Sequence, residues 1–199
     1  MVEHDEVSAT VAAKQALRTQ VRAARRGMTP ESAAAASAGL TARLVDLVSG
    51  RAARSVAAYF PVRNEPDTRD FLAWARDRGV EVLLPVSRAD GLMDWVADTG
   101  QAYAEGAFGI PEPTGERRSP LAVAGVDLML IPACAVDRRG MRLGWGRGYY
   151  DRCLSALPSP PPVFALIHEA EFLDEVPSEP HDTPVAGIVT PERTLEFGR

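Results

Sequence analysis

Cysteine and histidine are scarce in this chain. Cys134 and Cys153 are the only two cysteines in 199 residues, and no metal-type spacing joins them. Neither a disulfide framework nor a zinc site follows from such a pair. The three histidines, His4, His168 and His181, are scattered, and the motifs H-E-x-x-H and G-x-S-x-G do not occur. A zincin or a nucleophile-elbow hydrolase therefore finds no support, and nothing local supports a cysteine nucleophile with a histidine base. No uninterrupted apolar stretch approaches the ~18 residues of a membrane span. The opening "MVEHDEVSAT" lacks the apolar core of a secretory signal. The formal net charge is -5, whereas a general nucleic-acid binder usually carries a basic footprint. These absences lead us to expect a reduced, cytoplasmic protein with no nucleic-acid or membrane partner; a monomer or weak homodimer is a separate expectation that no residue pattern carries.

What is present is an ordinary globular composition, 46% hydrophobic and 25% charged, in a chain long enough for one domain with a proper core. Residues 1–10 read as a disordered leader and 11–199 as a single domain. Val11, Leu17 and Val21 recur among alanines and arginines, predicting an amphipathic helix to Arg26. A second helix follows "MTP", with Thr29 as N-cap, Pro30 in the first position and Gly50 after its end. "SVAAYFP" reads as a strand, Arg69–Arg78 as a helix stopped by Gly79, and "VEVLLP" and "LMDWVA" as strands. "GAFGIPEPTGERRSP" is loop by composition. "VDLMLIPACAVD" (Val126–Asp137) carries the most continuous apolar run, as a strand covered on both faces does. A helix from Tyr149 to Leu157 and the strands "VFALIH" and "VAGIVT" complete the chain. Strands alternating with helices predict a three-layer α/β/α domain with a mostly parallel sheet, whose ligands bind beyond the strands' carboxyl ends.

The stretch "RLGWGRGYYDR" (Arg142–Arg152) sets Gly144, Gly146 and Gly148 at alternate positions beside two arginines, two tyrosines and an aspartate. Bare backbone can adopt left-handed conformations and gather N–H groups into a concave nest for anionic oxygens. A helix starting at Tyr149 adds its positive end. Arg142 and Arg147 suit bidentate pairing with phosphate, and Asp151 is placed to reach a magnesium ion. A tight turn with a solvated rim fits three alternating glycines equally well. The dinucleotide fingerprint requires glycine where Tyr149 stands, and the P-loop requires Lys-Ser or Lys-Thr after its last glycine. The cationic run Lys14, Arg18, Arg22, Arg25 and Arg26, free of acids, is either a solvated helix face or a second phosphate holder.

Taken together with "KQALR", "YFPVRNEPDT", "FGIPEP", "DLMLIPACAVDRRG" and "PHDTPVAGIVTPE", in this order and spacing, the glycine stretch resembles the signature of the 5-formyltetrahydrofolate cyclo-ligases, also called 5,10-methenyltetrahydrofolate synthetases. The resemblance runs from Lys14 to about Glu192. It implies an α/β fold of the type shared with sugar-phosphate isomerases and CoA transferases. It also implies an ATP-dependent ligase that converts 5-formyltetrahydrofolate, including polyglutamylated forms, with Mg2+. By the same resemblance, ATP contacts fall to Lys14, Arg18, Arg142, Leu143, Gly144, Trp145, Gly146, Arg147, Gly148, Tyr149 and Tyr150, with Arg147 and Tyr149 nearest the chemistry. Asp151 and Asp182 correspond to the metal positions, although Asp182 before a proline-rich stretch also suits a turn. Glu65 corresponds to the carboxylate that holds the pterin. Phe60, Phe108 and Tyr149 correspond to the folate cleft, and core packing explains Phe60 equally well. One departure is Glu171, six residues before Pro177, where the family pattern leads us to expect glutamine; a substrate or phosphate contact there is left open. Two other readings remain: another enzyme of the same fold, sugar-phosphate isomerase or CoA transferase in type, and a non-catalytic nucleotide- or folate-binding protein.

Overall fold

The computed structural model describes residues 2–62, 64–101, 103–106, 109, 111–179 and 182–198, with backbone only for 2–8. Two long helices open the chain, α1 (Val2–Arg26) and α2 (Pro30–Gly50), the second capped as its sequence predicts: Ser32 N–H donates to Thr29 Oγ1 at 3.2 Å. The order continues β1 (Ser55–Ala57), α3 (Arg69–Asp77), β2 (Glu81–Ser87), β3 (Met93–Ala97), β4 (Tyr103–Glu105) and β5 (Pro111–Pro113). A 3-10 turn at Pro120–Gly125 precedes β6 (Leu128–Pro132), β7 (Ala135–Asp137), β8 (Arg142–Leu143) and α4 (Tyr149–Ala156). Last come β9 (Val163–Leu166), β10 (Phe172–Leu173), β11 (Gly187–Val189) and β12 (Thr194–Glu196).

The main sheet has seven strands in the order β12-β11-β9-β6-β1-β2-β3. Its five inner strands are parallel, and β3 and β12 run antiparallel at the two edges. Parallel strands covered on both faces need apolar residues at every position, and the period of two divides them between two cores. Leu128 and Leu130 of β6 join Val56, Leu84 and Phe164 against α2 and α3. Met129 and Ile131 face the other way, with Ala57, Leu83 and Ala165, against Cys153 and Leu157 at α4. The expected three-layer, mostly parallel α/β architecture is the one observed.

Three local expectations are corrected. Helix α1 begins at Val2 rather than Val11. The opening segment contains no glycine or proline and places acids in the first turn, where the helix dipole favours them. The apolar run Val126–Asp137 is two strands instead of one. Pro132 cannot donate to a ladder, and after it the chain leaves the main sheet for a small sheet of β10, β7 and β8. The segment expected to be loop contains β5, a two-stranded partner of β4; its prolines sit on an edge, where a missing donor is tolerated.

Helix α1 lies across the carboxyl ends of the inner strands. Val21 packs on Cys134 and Leu143, with Leu17 and Trp145 alongside. Arg25 reaches the carbonyl of Ala133, the residue after β6, at 3.0 Å. The loops after β1 and β9 reach the same rim, which is where an open α/β sheet receives its ligands.

Candidate active site

The glycine stretch is delivered to this rim by a hairpin. Asp137, fully buried at the end of β7, accepts N–H groups from Arg139 (2.8 Å), Met141 (3.0 Å) and Val176 (3.3 Å) as well as the Arg139 guanidinium. Burial pushes its carboxyl up, but these donors prevail and hold it below the usual aspartate range. The carboxylate thus fixes the turn from β7 into β8 and, through Val176, the strand-poor segment leading to Asp182.

Of the three alternating glycines, two occupy left-handed backbone: Gly146 at φ +91° and Gly148 at φ +69°. Gly144 is outside that region, so the expectation of three special backbones holds for two. Its carbonyl accepts the Nε–H of Arg18 at 2.8 Å, tying α1 to the loop. Gly148 is the N-cap of α4 and makes no side-chain cap. The first-turn amides and the positive end of the dipole are therefore presented at the loop.

Lys14, Arg18, Arg142, Gly146, Gly148, Asp151 and Asp182 all line one cleft of about 330 Å³, drawn from α1, β8, the glycine loop, α4 and the segment before β11. Acids balance its cations. Lys14 Nζ donates to Glu179 Oε2 at 2.7 Å and to Asp182 Oδ2 at 3.2 Å. Burial lowers the ammonium's pKa, yet these two partners outweigh it and leave it raised. Arg142 pairs with Asp151 and donates to the Thr183 carbonyl at 3.0 Å. Asp182 also accepts the Glu179 N–H at 2.8 Å, so it serves as a turn former and as a cleft acid at once. Among the described residues no group of three or more metal-type side chains is assembled. Magnesium bound with phosphates, however, takes only one or two protein carboxylates, and Asp151 and Asp182 on one cleft fit that need.

The other signature residues occupy supporting positions. Leu143 is buried against Val21 and its carbonyl accepts from Cys134, so its side chain belongs to the core. The guanidinium groups of Arg22 and Arg25 both approach the ring of Trp145, at 5.1 and 5.0 Å from its centre. Arg147 is exposed, and its carbonyl accepts Arg152 Nη2 at 2.8 Å. Tyr149 donates its hydroxyl to the Arg88 carbonyl after β2, at 3.1 Å. Burial raises the Tyr150 hydroxyl pKa well above the ordinary tyrosine range.

Glu65 stands on the loop after β1. Thr68 Oγ1 donates to the Tyr59 carbonyl (2.7 Å) and Tyr59 to the Pro66 carbonyl (2.8 Å), pinning both sides of the loop. The Glu65 carboxylate accepts the Val62 N–H at 3.1 Å. Burial raises its pKa above the usual glutamate value, while that hydrogen bond and the charge of Arg25 pull the other way. The charges of Glu65 and Arg25 both act on Tyr59, and Glu65 acts on Tyr150. This carboxylate is therefore a neighbour of the glycine loop's helix although it does not line the same cleft. Phe60 packs on Tyr103 with ring centroids 4.7 Å apart, consistent with both of its readings. Phe108, expected on this side, lies outside the described residues.

Two features escaped sequence reasoning. Glu179 is the nearer partner of Lys14; a half-buried lysine needs a counter-charge, but the two are 165 positions apart. Glu171 is buried against Arg25, which donates Nε at 2.6 Å and Nη2 at 2.8 Å. The glutamate in place of the expected glutamine thus answers a buried arginine and does not line the cleft.

Comparison with known proteins gives one family. The chain matches the 5-formyltetrahydrofolate cyclo-ligase family over residues 10–191. The 5-formyltetrahydrofolate cyclo-ligase of Mycolicibacterium smegmatis is 37% identical over 147 residues, covering 71% of this chain and 76% of that protein. The same-named protein of Haemophilus influenzae is 28% identical over 183 residues, covering 88% and 96%. In three dimensions the 5,10-methenyltetrahydrofolate synthetase of Aquifex aeolicus matches with a TM-score of 0.79 at 28% identity, covering 94% of each chain.

Proposed function

The chain belongs to the 5-formyltetrahydrofolate cyclo-ligase family, and on that premise we propose how its residues divide the reaction, 5-formyltetrahydrofolate plus ATP giving 5,10-methenyltetrahydrofolate, ADP and phosphate. The formyl oxygen is amide-like and a poor leaving group. It attacks the γ-phosphorus of ATP, the bond to the β,γ-bridging oxygen breaks and ADP departs. N10 then adds to the activated carbon, and phosphate leaves with the former formyl oxygen and takes up the N10 proton. Little covalent work falls to the protein. Its contribution is placement of two substrates and stabilisation of phosphate charge.

The observation that carries this reading is the convergence of Lys14, Arg18, Arg142 and two left-handed glycines on one cleft at the start of α4. The nucleotide's triphosphate occupies that cleft, with its oxygens on the loop amides and the cationic side chains. Arg147 reaches the transferring phosphoryl from the loop's exposed edge, and Tyr149 faces the junction with folate. Asp151 and Asp182 would hold magnesium, which would neutralise phosphate charge when bound. The carboxylates now paired with Arg142 and Lys14 are thereby exchanged for phosphate, so both cations keep a counter-charge throughout. Glu65, with its second oxygen directed by Val62, grips the adjacent N–H donors of the pterin. The absence of a membrane-length apolar helix among the described residues is consistent with a cytoplasmic setting.

Steady-state kinetics on two variants test the division. Arg147→Ala is expected to raise the KM for ATP about tenfold or more, as loss of one charge-assisted hydrogen bond implies, with little change for folate. Glu65→Ala is expected to do the reverse. Equal losses toward both substrates in each variant contradict the assignment. Chelating magnesium is expected to abolish turnover while leaving Tm without ATP unchanged; a fall in that Tm means the ion is part of the resting fold instead.

A further inference from the structure

Arg25 stands where the two half-sites meet, and the reaction as described makes no use of it. Its guanidinium is consumed by protein: a bidentate pair with Glu171 (2.6 and 2.8 Å), a bond to the Ala133 carbonyl (3.0 Å), and one face turned to the Trp145 ring at 5.0 Å. Its own carbonyl accepts the side-chain amide of Asn64 at 3.1 Å. Trp145 lies between Gly144 and Gly146, and Asn64 immediately precedes Glu65. A single residue thus touches the nucleotide loop through its side chain and the folate loop through its backbone.

We propose that Arg25, oriented by Glu171, is a positioning residue that locks these two loops to each other, so that occupancy of one half-site strengthens binding in the other. The inference rests on the assignment of the half-sites made above. Both side chains of the pair are almost wholly buried, at 5% and 7% exposure, so solvent cannot replace either partner. The planar fork fixes direction as well as charge, which lysine cannot reproduce. Glu171 is itself aimed by the His168 N–H at 2.8 Å, just beyond β9. With the frame fixed on β6 and β9, ordering of Trp145 by nucleotide restricts Arg25, and through it Asn64. The second substrate then meets a loop already held, which is the thermodynamic content of positive coupling. The same geometry explains glutamate at 171: an amide there leaves a buried guanidinium without its counter-charge.

The test is equilibrium binding of the magnesium complex of a non-hydrolysable ATP analogue, with and without saturating 5-formyltetrahydrofolate. The wild-type protein is expected to bind the analogue at least about fivefold more tightly with folate present, the lower end of typical coupling. In Arg25→Lys and in Glu171→Gln that factor should fall toward one. Because these variants lose stability as well, the paired replacement Arg25→Met with Glu171→Met is the stricter probe: apolar substitution of a whole buried ion pair commonly preserves the fold. It should keep the wild-type Tm within a few degrees and still lose the coupling. Coupling that persists in the folded variants, or that is missing from the wild type, overturns the proposal. Wild-type protein that binds neither ligand instead overturns the functional reading beneath it.

Discussion

Glu65 is held in a state its surroundings disfavour. Burial raises its pKa, so between the ordinary glutamate range and that raised value the native protein binds more protons than the unfolded chain. Stability from this group therefore declines as pH rises through that window, and at neutral pH its charge is a burden on the fold. Glu65→Gln is expected to raise Tm while lowering kcat/KM for folate roughly 100-fold, the effect of losing charged hydrogen bonds to the pterin. A thermal scan and a folate titration on the same preparation check it; a lower Tm contradicts the sign. Gly148 presents the reverse case. At φ +69°, an added Cβ also comes within 2.7 Å of Arg152 Nη1. Gly148→Ala is expected to cost about 1–2 kcal/mol in left-handed strain and to raise the KM for ATP, because the loop shifts.

At the scale of elements, the hairpin from β7 to β8 decides where the loop points. Asp137 is fully buried and satisfied by several donors. Its pKa is depressed, so its contribution is present above the ordinary aspartate range and is lost as pH falls through the lower folded value. Asp137→Ala is expected to cost about 3 kcal/mol, since it strands buried donors, or roughly 6–12 °C in Tm for a chain of this size. Unchanged Tm contradicts that account of the hairpin. The elements themselves were largely legible. The Thr29-Pro30 start, the Gly79 stop and the apolar run of β6 each carry their cause within a few residues. The break between β6 and β7 was only half legible: Pro132 marks it in the sequence, but Ala133 and Cys134 are as apolar as their neighbours, and the tie that fixes the departure comes from Arg25, 108 positions away. Nor was β5, whose prolines read as loop until β4 is seen beside them.

For the whole molecule, the alternation of strands and helices was enough to predict a mostly parallel three-layer sheet, and the glycine stretch was enough to predict its rim. The parts of the site that sequence could not supply are those made by distant pairs. Lys14 with Glu179 and Arg25 with Glu171 are 165 and 146 positions apart, and no local spacing encodes either. They exist because α1 is laid over the carboxyl ends of strands that come much later in the chain. Nucleotide binding should consequently stabilise the molecule as a unit. At 100 times its Kd, magnesium ATP is expected to add about 2.7 kcal/mol, roughly 5–11 °C in Tm. The central claim is that one cleft activates a formyl oxygen by phosphoryl transfer. It is tested most directly by following the near-ultraviolet absorbance of methenyltetrahydrofolate after folded protein is mixed with 5-formyltetrahydrofolate, magnesium and ATP. A rise that requires ATP is predicted, and a flat trace, or a rise equal without ATP, contradicts it.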